Sequence, residues 1–274
     1  MIDHHLHTHF GDGQDSPSEM ALSAKKAGVD VVGFSEHFPR PTGYDYPTEG
    51  YNHKDLASKW FDYASEVNKL KGLKGSKGDL DKYPKVLFGA EIDYLPDEEE
   101  TLRAELSAFN FDFIIGSVHM IGTWGFDYNQ GEWDGKDVDE LYDAYWETMF
   151  KMVGSGLFDF VGHLDLIKVF KNSYPPMRDH TDGAKDLLRE IQKKGLPIEI
   201  NTGGLRKPCR ELFPSLELIK EAVALKIPIV TSSDAHRNED VGFHLPEVVA
   251  MLKDLGVKEV VYFEGRKPFP VGLV

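Results

Sequence analysis

Histidine and acidic residues end several short apolar runs in this chain, and their spacing suits metal binding. His5 and His7 have the spacing of side chains on one face of a strand, and Asp234 and His236 repeat it. Other apolar runs also end in candidate ligands, which are His37, Glu91, His119 and His163. Imidazole and carboxylate groups together suit zinc, manganese or iron. The chemistry that these residues could perform is therefore metal-assisted hydrolysis.

Each of these motifs is weak by itself, because a lone histidine after an apolar run is more often a hydrogen-bonded structural residue. Their co-occurrence at so many strand ends favours metal binding. The candidates exceed one site, so we expect two to three divalent ions, with carboxylates bridging them. An acidic residue near Asp12 should complete the set. His4 alternates away from the site, whereas His9 could reach a substrate or only pack locally.

The elements that must position these residues follow from periodicity. Apolar, β-branched runs alternate with helical stretches, which predicts repeated βα units. After a short opening strand we expect strands at residues 29–34, 86–90, 111–118, 158–162, 196–200 and 227–232. We expect helices after a capping box at residues 16–19, around residues 56–67, and at residues 138–152, 182–194, 216–225 and 245–255. On a parallel α/β barrel, the carboxyl ends of the strands would bring the candidate ligands to one face.

Three segments are less regular. Residues 72–82 are rich in glycine and lysine, which predicts an exposed loop, and the glycine, Asp and Asn residues of 124–136 predict a long surface loop. Residues 260–263 have the pattern of a short strand, either an eighth barrel strand or an edge ribbon. No internal linker or change in composition divides the chain, so we expect one domain.

Composition narrows the function. The chain has 274 residues, a length that suits one α/β barrel. Cys209 is the only cysteine, which excludes an intramolecular disulfide and cysteine-based zinc motifs. The first residues lack the features of a signal peptide and no run is apolar enough to span a membrane, so we expect a cytoplasmic protein. A net charge of −15 argues against nucleic acid as a partner. It is compatible with a phosphorylated substrate only if bound cations make the charge inside the site positive.

Six motifs occur in an order that resembles the polymerase-and-histidinol-phosphatase (PHP) superfamily. They are Asp3-x-His5-x-His7, Glu36-His37, Gly89-Ala90-Glu91, Gly116-Ser117-Val118-His119, Gly162-His163-Leu164-Asp165 and Ser233-Asp234-Ala235-His236. Within it, residues 201–208 and the segments around His119 and His163 are similar to monofunctional histidinol phosphate phosphatases. The resemblance spans nearly the whole chain. It implies a distorted (β/α)7 TIM-like barrel over residues 1–274, with residues 260–263 in an extra ribbon and the metal site at the C-terminal ends of the strands.

The resemblance also implies a trinuclear site. The first ion would be held by His5, His7, Glu91 and Asp234, the second by His37 and His236, and the third by Glu91, His119 and His163. Many relatives place another histidine a few residues after the His-x-His pair, but this chain has none in that stretch. We assign this ligand of the second ion to Asp12, with Asp15 as the alternative.

The activity that the resemblance implies is metal-dependent hydrolysis of L-histidinol phosphate to L-histidinol and phosphate in histidine biosynthesis. A hydroxide bridging two ions would attack phosphorus, with Asp234, His236 and Glu91 in catalytic roles. We expect Arg206 to bind the phosphate, because its planar fork matches that group, although a surface arginine is the alternative. Lys168 is a weaker candidate for the same contact.

Three rival functions remain at this stage, and the sequence does not indicate an oligomeric state. A PHP phosphoesterase could act on another phosphomonoester or on a nucleotide. A metal-dependent amidohydrolase would normally show a metal-bridging lysine late in a strand, and we find none so placed. A non-catalytic module that assists a polymerase would be expected to have lost ligands.

Overall fold

The computed structural model describes residues 1–44, 46, 53–73 and 82–273. Its strands are β1 (Ile2–Leu6), β2 (Val31–Phe34), β3 (Lys85–Asp93), β4 (Phe113–Ser117), β5 (Met120–Ile121), β6 (Trp124–Gly125), β7 (Phe160–Val161), β8 (Ile198–Asn201), β9 (Ile229–Ser232), β10 (Glu259–Glu264) and β11 (Lys267–Gly272). Seven of them form one parallel sheet in the order β1-β2-β3-β4-β7-β8-β9. Neighbouring strands of this sheet therefore follow one another along the chain, as repeated βα units require.

The two edges of this sheet meet. Leu6 pairs in parallel with Ala235, and the N–H of His7 donates to the carbonyl of Ala235 at 2.9 Å. Lower down, the hydroxyl of Thr231 donates to the carbonyl of Ile2 at 2.8 Å. The seven strands thus close into a distorted barrel, which confirms the fold expected from the resemblance.

Each barrel strand is followed by an α-helix before the next one begins. The helices are α1 (Pro17–Lys26), α2 (His53–Gly72), α3 (Glu99–Leu106), α4 (Val138–Ser155), α5 (Thr181–Lys194), α6 (Leu216–Ala224) and α7 (Leu245–Asp254). Local sequence sets several of their ends. The predicted capping box between Ser16 and Glu19 is present, while Gly156 and Gly195 end α4 and α5 in the left-handed conformation that glycine favours. Within the described ranges, no helix is both long and apolar enough to cross a membrane.

The amino end of the barrel is closed by apolar side chains. Residues 260–263 belong to β10, which pairs antiparallel with β11 and forms an extra ribbon. Val261 and Phe263 of this ribbon pack with Phe113 and Phe160, the first residues of β4 and β7. At Gly89 a Cβ atom would lie 2.4 Å from the ring of Phe113, so only glycine leaves room for that ring. Because apolar side chains fill the amino end of the barrel, the carboxyl ends of its strands are where a functional site can form.

The segment at residues 124–136 is in part the surface loop that the sequence predicted, since residues 129–132 and 134–136 are exposed. Other residues of the segment are ordered and buried. Its first residues form β6, which pairs with β5, and Trp133 is buried. The indole N–H of Trp133 donates to the carbonyl of Phe126 at 2.7 Å, and the ring packs against that of Phe170. The buried aromatic residues thus anchor the segment to the barrel, while the polar residues between them stay at the surface. Most of residues 72–82 lie outside the described residues.

Candidate metal centre

β1 brings His5 and His7 to the carboxyl end of the barrel. The register of β1 on β2 shifts between Asp3 and Leu6, which is the mark of a bulge. His4 lies on the interior side below the site, where its Nε2 accepts a backbone N–H of β10 at 2.8 Å. Burial lowers the pKa of His4 to about 3, so this imidazole is neutral. His4 is a structural residue of the barrel floor.

Glu91, on β3, lies at the centre of the predicted ligands. Its Oε2 is 3.2 Å from Nε2 of His5 and 3.1 Å from Nδ1 of His37. Its Oε1 is 2.6 Å from Nε2 of His163 and 3.5 Å from Nε2 of His119. Because the two oxygens face different histidines, this carboxylate is placed to ligate more than one ion.

The structure brings the predicted ligands together in three groups whose ligand atoms lie within 4.8 Å of one another. The groups are His5, His7 and Asp234; His7, Asp12, His37 and His236; and His37, Glu91 and His119. They contain every predicted ligand except His163, which contacts Glu91 directly. The assignment of each ligand to a particular ion stays a prediction.

The loop after β1 places Asp12, rather than Asp15, in the second of these groups. Oδ2 of Asp12 is 3.1 Å from Nε2 of His236, and its Oδ1 is 3.7 Å from one nitrogen of each of the other two histidines. Asp15 instead accepts the N–H of Asn238 at 2.7 Å. A Cβ atom at Gly13 would lie 2.6 Å from a backbone nitrogen just after β1, so glycine lets this loop pack closely.

Replacing Asp12 by Ala should weaken the binding of one ion and spare the others, because the other two groups do not include this loop. Elemental analysis of the purified variant should then find about one equivalent of metal less than in the unmodified protein. Asp15→Ala serves as the matched control and should retain the full content. The opposite ranking of the two variants would show that Asp15 is the ligand.

Orphaned buried nitrogens test whether these residues fit a metal. Within the described ranges, neither ring nitrogen of the fully buried His7 has a hydrogen-bond partner, and Nδ1 of His163 has none. A buried polar atom without a partner costs free energy, which coordination of a cation would offset. The donor atoms are nitrogen and oxygen without thiolate, a set that suits zinc, manganese or iron. The residues present therefore fit divalent metal ions.

The carboxylates and imidazoles of the cluster stabilise each other's charge. Burial alone would raise the pKa of Glu91, but the imidazoles of His5, His119 and His37 outweigh it and hold the pKa well below its ordinary value. Burial would lower the pKa of His236, but the carboxylate of Asp12 raises it to about 9. Glu91 is therefore ionised at neutral pH, ready to serve as a ligand. Metal binding would displace protons from the charged imidazoles, because only the neutral ring ligates.

Two buried carboxylates that the sequence analysis missed orient the histidines. Glu199, on β8, accepts from Nδ1 of His5 and from the backbone N–H of His163, both at 2.7 Å. Asp93 accepts from Nδ1 of His119 at 2.8 Å. These bonds set the tautomer, so that Nε2 of each ring can face a metal. A glutamate inside an apolar strand was the available signal for Glu199.

A cavity of about 580 Å³ lies over the metal-binding groups, a volume in the range of small-molecule sites. Most of the predicted ligands line it, and so do Tyr46, Lys59, Asp127, Tyr128, Leu166 and Lys207. The two lysines are cations to which the sequence analysis gave no role. The site is therefore a pocket with candidate metal ligands along its wall and two lysines that could receive an anion.

Arg206 lies beside the metal ligands, although it is not among the residues that line the cavity. Its Nη2 donates to the carbonyls of Ser233 and Asp234, at 2.8 Å each. Its Nη1 is buried and has no hydrogen-bond partner in the part of the chain that the structure describes. The predicted contact between Arg206 and phosphate stays a prediction.

The structure does not bring Lys168 or His9 to the cavity. Lys168 is buried and forms an ion pair with Asp165 at 2.7 Å, and it also donates to a backbone carbonyl at 2.8 Å. His9 is exposed, and its ring packs on that of Phe10 with 4.2 Å between centroids. For His9 the local packing that we considered is what occurs. Neither position supports the predicted contact with substrate.

A seven-stranded βα barrel with histidines and carboxylates clustered at its carboxyl end defines a class of metal-binding proteins. Comparison with family models agrees, since residues 3–203 match the model of the PHP domain. The chain belongs to the PHP domain family.

Relatives of the chain cover almost its full length. It is 34% identical to the "Probable histidinol-phosphatase" of Deinococcus radiodurans, over 98% of this chain and 99% of that protein. It is 28% identical to the "Histidinol-phosphatase" of Bacillus subtilis, over 88% of this chain and 95% of that protein. The crystal structure of histidinol phosphate phosphatase from Lactococcus lactis, complexed with zinc, L-histidinol and phosphate, matches with a TM-score of 0.77 and 23% identity over 98% of each chain. That match shows a shared fold.

Proposed function

We propose that this protein is a metal-dependent phosphomonoester hydrolase that converts L-histidinol phosphate to L-histidinol and phosphate, a step of histidine biosynthesis. One observation carries the proposal: Glu91 joins the predicted ligands into a single cluster along the wall of a cavity of about 580 Å³. The choice of ester is supported by full-length similarity to relatives named for histidinol phosphatase activity.

The cluster supports binding of two to three divalent ions, which we propose to be zinc, manganese or iron. The residues that would hold them are His5, His7, Glu91 and Asp234 for the first, Asp12, His37 and His236 for the second, and Glu91, His119 and His163 for the third. When bound, such ions polarise phosphoryl oxygens and lower the pKa of water toward neutrality. The chain itself holds two of these imidazole rings in a fixed orientation, because Glu199 and Asp93 accept hydrogen bonds from His5 and His119.

Binding of the phosphate falls to the cations around the cavity. Lys59 and Lys207 line it directly and offer ammonium groups. Arg206 does not line the cavity and is held beside Asp234 by two backbone carbonyls, so its charge would act on the phosphate from behind the candidate ligands. These groups, together with the metal ions, reconcile an anionic substrate with a net charge of −15.

The test of this function is phosphate release from a panel of phosphomonoesters. Metal-replete protein should hydrolyse L-histidinol phosphate with a kcat/KM at least about a hundredfold above that for glycerol phosphate, because buried polar groups reject an ester that leaves them unpaired. Chelator-stripped protein should be inactive and should recover when metal is restored, because the ligands hold the ions that the reaction needs.

Comparable kcat/KM values for the two esters would overturn the substrate assignment and leave a metallophosphatase. Activity that survives prolonged chelation, in protein that carries no bound metal, would overturn the metal dependence.

A further inference from the structure

We infer that Asp127 determines substrate specificity by binding the cationic end of the substrate, opposite the phosphate. This inference rests on the function proposed above. It concerns a residue that lines the cavity but belongs to none of the metal-binding groups.

The charges along the cavity point to Asp127. The carboxylates that line it are Asp12, Glu91, Asp234 and Asp127. The first three belong to the metal-binding groups, so cations already face them. In the part of the chain that the structure describes, Asp127 belongs to none of those groups and forms no ion pair. It is thus the lining carboxylate left to receive a cation from a ligand.

Asp127 is held in place by a buried tyrosine. The hydroxyl of Tyr46 donates to Oδ1 of Asp127, and Tyr46 itself is 6% exposed. Burial raises the pKa of Tyr46 well above its ordinary value, and the charge of Asp127 raises it further. The hydroxyl therefore keeps its proton at neutral pH and can only donate to the carboxylate. Half-buried Asp127 keeps its second oxygen for another partner.

Contacts of Tyr46 also lead, through Arg40 and Asp93, to the candidate metal ligand His119. The guanidinium of Arg40 lies 4.6 Å from the centroid of the Tyr46 ring, and its Nε donates to Oδ2 of Asp93. The other oxygen of Asp93 accepts from Nδ1 of His119 at 2.8 Å. Tyr46 and His119 are thus tied to one buried ion pair, which sets the position of Asp127 relative to the metal groups. A ligand that contacts both Asp127 and the metal-binding groups must be long enough to span the distance between them.

L-Histidinol phosphate carries an anionic group for the metal-binding groups and a cationic group for Asp127. Its phosphate suits the metal end of the cavity, and its ammonium and imidazole lie at the other end of the molecule. A carboxylate there would attract the ammonium and repel a phosphate bound in the reverse direction. The ring of Tyr128 also lines the cavity, 5.1 Å from that of Tyr46, and offers an aromatic face to a cation or a flat ring.

Asp127→Asn tests the inference, because it removes the charge and keeps the shape. The KM for L-histidinol phosphate should rise by about tenfold to a hundredfold with little change in kcat, since a charged hydrogen bond that is equal in ground and transition states is lost. Glycerol phosphate, and the analogue of L-histidinol phosphate that lacks the amine, should be hydrolysed as by the unmodified protein. A loss that is equal for all three esters would overturn the inference, because a structural role predicts it.

Asp134→Asn is the matched control. Asp134 lies a few residues further along the same loop, accepts a hydrogen bond from the hydroxyl of Tyr174, and does not line the cavity. This variant should keep the specificity of the unmodified protein. Loss of specificity there would instead indicate that any disturbance of the loop has the same effect.

Calorimetric titration of the metal-replete protein with L-histidinol separates this inference from the proposed function. L-Histidinol has the cationic groups and no phosphate, so its binding does not depend on turnover. Asp127→Asn should weaken it by about tenfold or more. Equal affinity of the two proteins for L-histidinol would overturn the inference. Absence of phosphate release together with weakened L-histidinol binding would overturn the proposed hydrolysis and support the role of Asp127.

Discussion

Replacing Asp234 by Asn should lower kcat/KM for phosphate-ester hydrolysis by about a thousandfold, which corresponds to several kcal/mol of lost transition-state stabilisation. Oδ1 of Asp234 lies 3.5 Å from Nε2 of His7 and 3.9 Å from Nε2 of His5, within one metal-binding group. The amide keeps the shape of the side chain but carries no charge to hold a cation. Asp234 has a backbone φ of +54°, which asparagine also tolerates, so the variant should fold.

Elemental analysis and thermal melting of the Asp234→Asn variant would separate loss of metal from loss of fold. We expect reduced metal content with a preserved cooperative transition. Asp15→Asn is the matched control, because Asp15 is close to the same site but bonds to Asn238. It should hydrolyse esters at the unmodified rate. An Asp234→Asn variant that did the same would show that Asp234 is not a ligand.

The second large effect is expected at Glu199. Its Oε1 accepts from Nδ1 of His5 and from the hydroxyl of Ser232 at 2.6 Å, and its Oε2 accepts from the N–H of His163 and from Nδ2 of Asn201 at 3.2 Å. All four partners donate. A glutamine side chain has one oxygen and one NH₂ group. Its NH₂ group would have to face two of these donors, and it cannot accept hydrogen bonds from them. Glu199→Gln should therefore lower metal affinity or activity by about tenfold to a hundredfold, the range typical of a carboxylate that orients a ligating histidine.

Competition with a chelator measures this effect directly, and excess metal should restore part of the activity. Glu147→Gln is the control, because Glu147 is exposed on α4 and pairs with Lys151 of the same helix, away from the cavity. If Glu199→Gln lowered the melting temperature but left metal affinity and activity unchanged, Glu199 would be a structural residue of the barrel.

Much of the fold could be predicted from local patterns. The capping box at Ser16 and the apolar periods of the helices act over a few residues, so the helices other than α3 were expected close to where they lie. The short helix α3 was not predicted. β11 was missed, because Pro268 and Pro270 interrupt the pattern of a strand. The two prolines are tolerated because β11 is an edge strand of its two-stranded sheet with β10. The apolar run of β10 left an eighth barrel strand and an edge ribbon both open, because the run does not say which strand it pairs with. Only the resemblance favoured the ribbon.

The clustering of the candidate metal ligands could also be predicted, for a related reason. The alternation of a strand places His5 and His7 on one face, and residues at the carboxyl ends of parallel strands converge in any βα barrel. Glu91, His119 and the pair Asp234 and His236 needed no further knowledge of how the strands pack. The type and position of these residues in the sequence therefore determined that a cluster of imidazoles and carboxylates would form.

The tertiary structure alone decided what surrounds that cluster. Glu199 is 194 positions from His5 in sequence, and only closure of the barrel brings the two within 2.7 Å. Lys168 follows His163 closely, yet an ion pair with Asp165 holds it away from the cavity. Asp127 becomes a cavity residue through a hydrogen bond from Tyr46. Hydrogen bonds and ion pairs act over a few ångströms, so their partners depend on where the closed barrel places each side chain, and distance along the chain does not predict them.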